Sequence, residues 1–258
     1  MKIRLALVLL VGAFGALAHV GVSGRATAGG AACAQGDGGY TYAGSQATHV
    51  GHGVRAIITA TRTPSVTAGH VAGWVGVGGP GEGPNGTDEW VQVGLASMPG
   101  LPSVLYAEIT KPGRAPNFQV LEDEVPFGES RDVAVLEIAN RPGWWRIWVS
   151  GNPASGPIHL RGSSDRWQPI ATAESWNGGQ ATCNRFGFRF ERVSVSYGGG
   201  GSWRPFVPGN RFLDSGYRLH ALAKAPAVRG RYSRRLTTTS TDSGHHPDPY
   251  AFVATSGA

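Results

Sequence analysis

Gln92, in Trp90-Val-Gln-Val-Gly-Leu95, and Glu174, in Ala171-Thr-Ala-Glu-Ser-Trp-Asn-Gly-Gly179, stand far apart in the chain, each in a segment with strand-like alternation. A carboxylate and a neutral amide can together hydrolyse an acyl bond without any nucleophilic side chain. The carboxylate takes a proton from water as general base and returns it as general acid, while the amide donates hydrogen bonds to the oxyanion of the attacked carbonyl. Neither residue carries that meaning alone, so the elements that could place them on one surface decide the matter.

Those elements read as strands. Runs at 54–61, 71–77, 90–95, 104–110, 118–121, 133–139, 144–150, 158–160, 168–175 and 186–197 are separated by Gly, Pro and Asn. No helical period of comparable length and no internal repeat competes with them. The composition of 40 Gly, 17 Pro and eight Trp, with only 16% charged residues, agrees with an all-β chain of many tight turns. The expected fold is a concanavalin-like antiparallel β-sandwich, and 258 residues suffice for one substantial core.

The side-chain period of two then assigns faces. Val91, Val93 and Leu95 share one face and Trp90, Gln92 and Gly94 the other. In the following strand Leu105, Ala107 and Ile109 alternate with Tyr106, Glu108 and Thr110. Around Glu174, the set Ala171, Ala173 and Ser175 alternates with Thr172, Glu174 and Trp176. Gln92, Glu108 and Glu174 can therefore project from one face, away from the core, and Trp74 joins them if Val75 and Val77 point inward. In 144–149, Trp145, Ile147 and Val149 form the expected core side. That leaves Trp144, Arg146 and Trp148 either to grip a polymer or simply to cover the back of a sheet.

Trp74-Val-Gly-Val-Gly-Gly79, Gln92-Val-Gly94, Tyr106-Ala-Glu108 and Ala173-Glu-Ser-Trp176, preceded by Tyr42-Ala-Gly44 and Thr63-Pro-Ser-Val66, follow one another in a recognisable order. The set resembles the glutamic peptidases, the eqolisin family, over residues 40–195. Two positions depart from that family's pattern: Gly78 stands where an acidic residue is common, and Ser175 where an aromatic residue is usual. The resemblance implies a peptidase in which Glu174 is general base and acid, and Gln92 holds the water and stabilises the oxyanion. Glu108 would support the network, and Trp74, Tyr106 and Trp176 would line or support the cleft. It implies a polypeptide substrate and neither a metal nor an organic cofactor.

The start of the chain has the pattern of a secretory signal over 1–28, with Lys2 and Arg4, an apolar run at 5–18 and small-residue cleavage sites. A secreted, extracellular, monomeric protein without stable membrane insertion is expected. Export makes a Cys33–Cys183 disulfide the natural reading of the two cysteines. The formal charge of +6 falls to 20 basic against 17 acidic side chains without Lys2, Arg4 and Arg25, which gives no case for nucleic acid. His49-x-x-His52 and His245-His246 lack a third ligand at zinc-like spacing and read as exposed histidines. The sandwich is expected over 36–212, followed by a flexible basic and Thr/Ser-rich tail at 213–258. A sandwich face with Trp and two Glu also suits a carbohydrate-binding module or a glycosidase, which is the alternative function.

Overall fold

The computed structural model describes residues 39–178, 184–222 and 250–256. The expected signal segment, both cysteines of the expected disulfide and the His245-His246 pair lie outside the described residues. Strands follow in the order β1 (Tyr40–Ala47), β2 (Gly53–Ser65), β3 (His70–Gly79), β4 (Glu89–Ser97), β5 (Val104–Thr110), β6 (Asn117–Glu122), β7 (Ser130–Glu137) and β8 (Trp144–Val149). They continue as β9 (Asn152–Pro153), β10 (Ile158–His159), β11 (Ile170–Trp176), β12 (Arg185–Ser196), β13 (Trp203–Pro205), β14 (Pro208–Leu213), β15 (Tyr217–Ala221) and β16 (Tyr250–Ser256).

All pairings are antiparallel, and the strands form two sheets. One has seven strands in the order β14-β1-β11-β3-β4-β5-β6. The other has nine, with the path β10-β8-β7-β2-β12-β16-β15 and with β9 and β13 on its flanks. The protein is a β-sandwich. Alternation places Val75, Val91, Val93 and Ala171 of the first sheet in one core with Ile58 and Phe188 of the second, all essentially inaccessible to solvent. Gly73 belongs to that inner face. A Cβ there would stand 2.7 Å from the Phe188 ring, so the missing side chain is what admits the phenyl group.

The second sheet corrects one expectation and decides between two readings left open. The described part of the supposed tail is not loose: β15 pairs with β16, and β16 pairs with β12. Phe252 and Ala254 enter the core, with Phe252 stacked on Phe190 at 4.4 Å between ring centroids. The sandwich thus extends past 212, because a seven-residue run of apolar and β-favouring residues is enough to complete a sheet once a partner edge exists. Trp144, Arg146 and Trp148 do lie opposite the core-facing Trp145 and Ile147, but on the sheet that does not carry Gln92 and Glu174. Trp144 is occupied there by His159, stacked at 4.6 Å, and by the Arg141 guanidinium 4.4 Å from its ring centre. These rings cover the back of their own sheet.

Candidate active site

The outer face of the seven-stranded sheet carries the polar residues singled out in the sequence. Register sets them in successive cross-strand rows, with Gln92 two strands from Glu174 and four residues further along. Ala72 of β3 lies opposite Ala96 of β4 and Glu174 of β11, and Tyr42 of β1 lies opposite Glu174. One step along, Trp74 is opposite Gly94 and Thr172, and Gly94 is opposite Tyr106. One step further, Gly76 is opposite Gln92, which is opposite Glu108. Trp176, opposite His70 and Tyr40, closes one end of the series, and Trp90, opposite Gly78 and Thr110, the other. On this face Trp74 and Tyr106 belong to a second small apolar cluster, separate from the core, with Ala72 and Ala96.

Gly94 keeps the middle of this surface low. It sits between the two large rings of Trp74 and Tyr106. A Cβ at this position would come within 2.1 Å of the Gly73 carbonyl oxygen and 2.8 Å of the Trp74 Cβ. Only glycine fits, and Gly94 is itself buried between its neighbours.

Glu174 is held by two donors from the neighbouring strand. The Trp74 indole donates to Oε2 at 2.9 Å, and His70 Nε2 lies 3.1 Å from Oε1. The carboxylate is 6% exposed, and with one partner on each oxygen it keeps acceptor capacity for a further ligand. His70 is itself clamped between rings, 5.7 Å from both Tyr40 and Trp176, which stack on each other at 6.0 Å. Asn184 fastens that end of the sheet. Its amide donates to the carbonyls of Ala68 and Trp176, and its carbonyl accepts from the Thr67 amide.

Gln92, 7% exposed, donates from Nε2 to the Tyr106 hydroxyl at 3.1 Å. Burial, then the negative charges of Glu174 and Glu108, push the Tyr106 phenol well above its ordinary value, so it remains protonated. With its oxygen accepting from Gln92, its own proton is left to donate. Glu108 accepts from the Trp90 indole at 2.9 Å. Burial first and the charge of Glu174 second raise its carboxyl from 4.5 to about 7, against smaller opposing effects of Trp90 and His70. Glu108 therefore stays neutral through the mildly acidic range.

That shift is also a statement about stability. A carboxyl whose pKa is higher in the folded than in the unfolded chain favours folding fully below the unfolded value, and its contribution is lost as pH rises toward the folded value. Stability attributable to Glu108 should therefore decline between pH 4.5 and about 7, by up to about 3 kcal/mol for a shift of that size. Thermal melting at pH 5 and pH 8 should differ more for the wild type than for Glu108→Gln. Equal differences in the two proteins would contradict the assignment.

All of the expected site residues, Trp74, Gln92, Tyr106, Glu108, Glu174 and Trp176, fall on this one face. His70 and Trp90 were not assigned roles from sequence, although both follow from alternation: His70, Ala72 and Trp74 share a face, as do Trp90 and Gln92. His52 of the His49-His52 pair serves a different end of the molecule. Its Nδ1 is 2.5 Å from Glu137 at the end of β7 and its Nε2 is 3.2 Å from Asp165, so it ties that strand end to the turn at 165 rather than standing free in solvent. Among the described residues no group of three or more His, Cys, Asp or Glu side chains is arranged to hold a metal.

No family model matches the chain, and no curated protein matches it. Among solved structures it is similar to scytalido-glutamic peptidase with a transition state analogue inhibitor, at a TM-score of 0.48 and 11% identity, over 84% of this chain and 98% of that one. It is also similar to SCP-B, a member of the eqolisin family of peptidases in complex with the tripeptide Ala-Ile-His, at a TM-score of 0.46 and 12% identity with the same coverage. A Bacillus licheniformis β-glucanase is similar over 52% of this chain and 56% of its own, at a TM-score of 0.34 and 13% identity. At these identities the likeness is one of fold.

Proposed function

We propose that the chain is a secreted acid endopeptidase that hydrolyses peptide bonds with a water activated by Glu174 and an oxyanion site formed by Gln92 and Tyr106. A polypeptide lies across the outer face of the seven-stranded sheet, between Glu174 and Gln92. Glu174 takes a proton from the water, whose oxygen bonds to the carbonyl carbon. The Gln92 amide and the Tyr106 hydroxyl donate to the resulting oxyanion. Glu174 then gives its proton to the amide nitrogen, the C–N bond breaks, and a carboxylic acid and an amine are released. Glu108, neutral below about pH 7, avoids placing a second negative charge beside Glu174 during the first step.

The observation that carries this reading is the arrangement of Glu174. A carboxylate fixed by Trp74 and His70 shares one face with a glutamine whose amide is already directed toward a protonated phenol. His70 is a positioning residue in this scheme, since it touches Glu174 rather than substrate. His70→Ala should lower kcat roughly 10- to 100-fold with little change in KM, of the size expected when a catalytic group loses its orientation. His70→Gln, which retains a donor, should recover part of the loss. A change confined to KM, or to thermal stability, would contradict the positioning role.

One feature also suits the alternative, a glycosidase or glycan-binding face. Glycoside hydrolysis requires a carboxyl that retains its proton beside a second carboxylate, and Glu108 is held protonated by burial and by the charge of Glu174. Parallel incubations at pH 4–6, of unfolded polypeptide in one arm and of β-glucan in another, separate the two. Release of new peptide termini is expected; release of new reducing ends, with the polypeptide intact, would favour the glycosidase.

A further inference from the structure

Glu108 stands directly opposite Gln92 in the β4–β5 ladder and on the same outer face, a relation that sets their Cβ atoms about 4.5–5.5 Å apart. Tyr106 is two residues away on the same strand and the same face, so Glu108 adjoins both groups proposed to hold the oxyanion. Its carboxyl is engaged unevenly. Oε1 accepts from the Trp90 indole at 2.9 Å, whereas among the described residues no side chain or backbone group bonds to Oε2. Glu108 is half-buried, and Trp90, 8% exposed, is set on β4 two residues before Gln92.

A neutral carboxyl has one oxygen that carries the proton and one that only accepts. The indole N–H can only donate, and it takes the carbonyl oxygen, the better acceptor. With Oε1 committed to Trp90, the proton of neutral Glu108 falls on Oε2. A carboxylic acid kept neutral in an enclosed site can give a strong hydrogen bond to a developing oxyanion, which an ionised carboxylate would repel. Burial is the largest influence against ionisation of Glu108 and the charge of Glu174 on β11 the next, while the Trp90 bond and His70 on β3 favour it to a smaller extent. The phenols of Tyr106 on β5 and of Tyr40 and Tyr42 on β1 are raised by burial and then by the charge of Glu174, and remain protonated. From β6 the residue opposite is the uncharged Phe118.

We propose that Glu108 is a third donor to the tetrahedral oxyanion, beside Gln92 and Tyr106, giving its hydrogen bond from Oε2, and that Trp90 is the positioning residue that keeps the proton on that oxygen. The inference rests on the endopeptidase reading and adds a catalytic residue to it. The proton stays with Glu108 throughout: the hydrogen bond tightens as charge gathers on the substrate oxygen and relaxes when the C–N bond breaks. An interaction made mainly in the transition state acts on kcat rather than KM.

The test compares pH profiles of kcat and kcat/KM for the wild type, Glu108→Gln, Glu108→Ala and Trp90→Phe. All are measured on one fluorogenic peptide, drawn from a site that the wild type cuts in an unfolded polypeptide, with folding checked by circular dichroism at each pH. The wild type should lose activity above about pH 7, where Glu108 ionises and its donor disappears. Glu108→Gln accepts from Trp90 and still donates, more weakly, but cannot ionise. It should lose about threefold in kcat at pH 5 and no longer show the alkaline fall. Glu108→Ala should lose about 10- to 100-fold in kcat at pH 5, below the effect usual for an oxyanion donor because two others remain. Trp90→Phe removes a bond that favours the charged form, so the alkaline fall should move to higher pH while kcat drops severalfold in the acid range. An alkaline fall that persists unchanged in Glu108→Gln would assign the ionisation to another group and overturn the inference, as would a Glu108→Ala protein with unchanged kcat. Either result leaves the endopeptidase reading standing, which Glu174→Gln tests independently. A wild type that cuts no peptide at any pH would overturn both.

Discussion

Replacing Glu174 by glutamine is expected to lower kcat/KM for peptide hydrolysis by about 10²–10⁴-fold, the range set by loss of a general acid–base group. The substitution is nearly isosteric. The side-chain carbonyl can still accept from the Trp74 indole, which lies 2.9 Å from one carboxylate oxygen, so the strand and its rings have no reason to move. What is lost is the ability to take a proton from water and hand it to the leaving nitrogen. Circular dichroism and melting temperature should match the wild type, and inhibitor binding should survive. A variant that keeps full activity would remove Glu174 from the mechanism.

Gln92→Ala is expected to cost about 10²–10³ in kcat, the typical effect of deleting one oxyanion donor, with KM altered far less. The same change leaves the Tyr106 hydroxyl without the amide that now donates to it at 3.1 Å. Tyr106 itself should remain in place through its ring, stacked on Phe118 at 4.9 Å. Because Gln92 and Glu174 are proposed to act on the same reacting carbonyl, their losses should not multiply. The double variant should be little worse than Glu174→Gln, as for groups that function as one unit. Steady-state kinetics on a single fluorogenic peptide measures all three. A Gln92→Ala protein with unchanged kcat would contradict the oxyanion role.

The faces of the site strands were legible because one period governs them. Val91 and Val93 are apolar on one side of β4 and enter the core, and Gln92 is polar on the other, although both faces of the strand are buried. The outward set on β3 is equally legible, although its signal is partly mute, since Gly76 and Gly78 have no side chain to mark a face. His70 went unassigned because it gains its role only when β3 pairs with β11 and sets it opposite Trp176, a contact between residues 106 positions apart that local pattern does not encode. Strand β16 was hidden differently: its seven residues follow a long stretch of low hydrophobicity, and their apolar members acquire meaning only against Phe190 and its neighbours on β12.

The central claim is that Glu174 and Gln92 converge on one reacting centre. It is tested most directly by the structure of the protein bound to a peptide analogue whose scissile amide is replaced by a hydroxyl-bearing tetrahedral carbon. The account predicts that oxygens on this single carbon lie within hydrogen-bond distance, about 2.6–3.2 Å, of both the Glu174 carboxylate and the Gln92 amide, with the peptide backbone crossing Gly94. A complex in which the tetrahedral centre touches one of the two residues while the other stays remote, or in which the analogue occupies a different face of the sandwich, would contradict it.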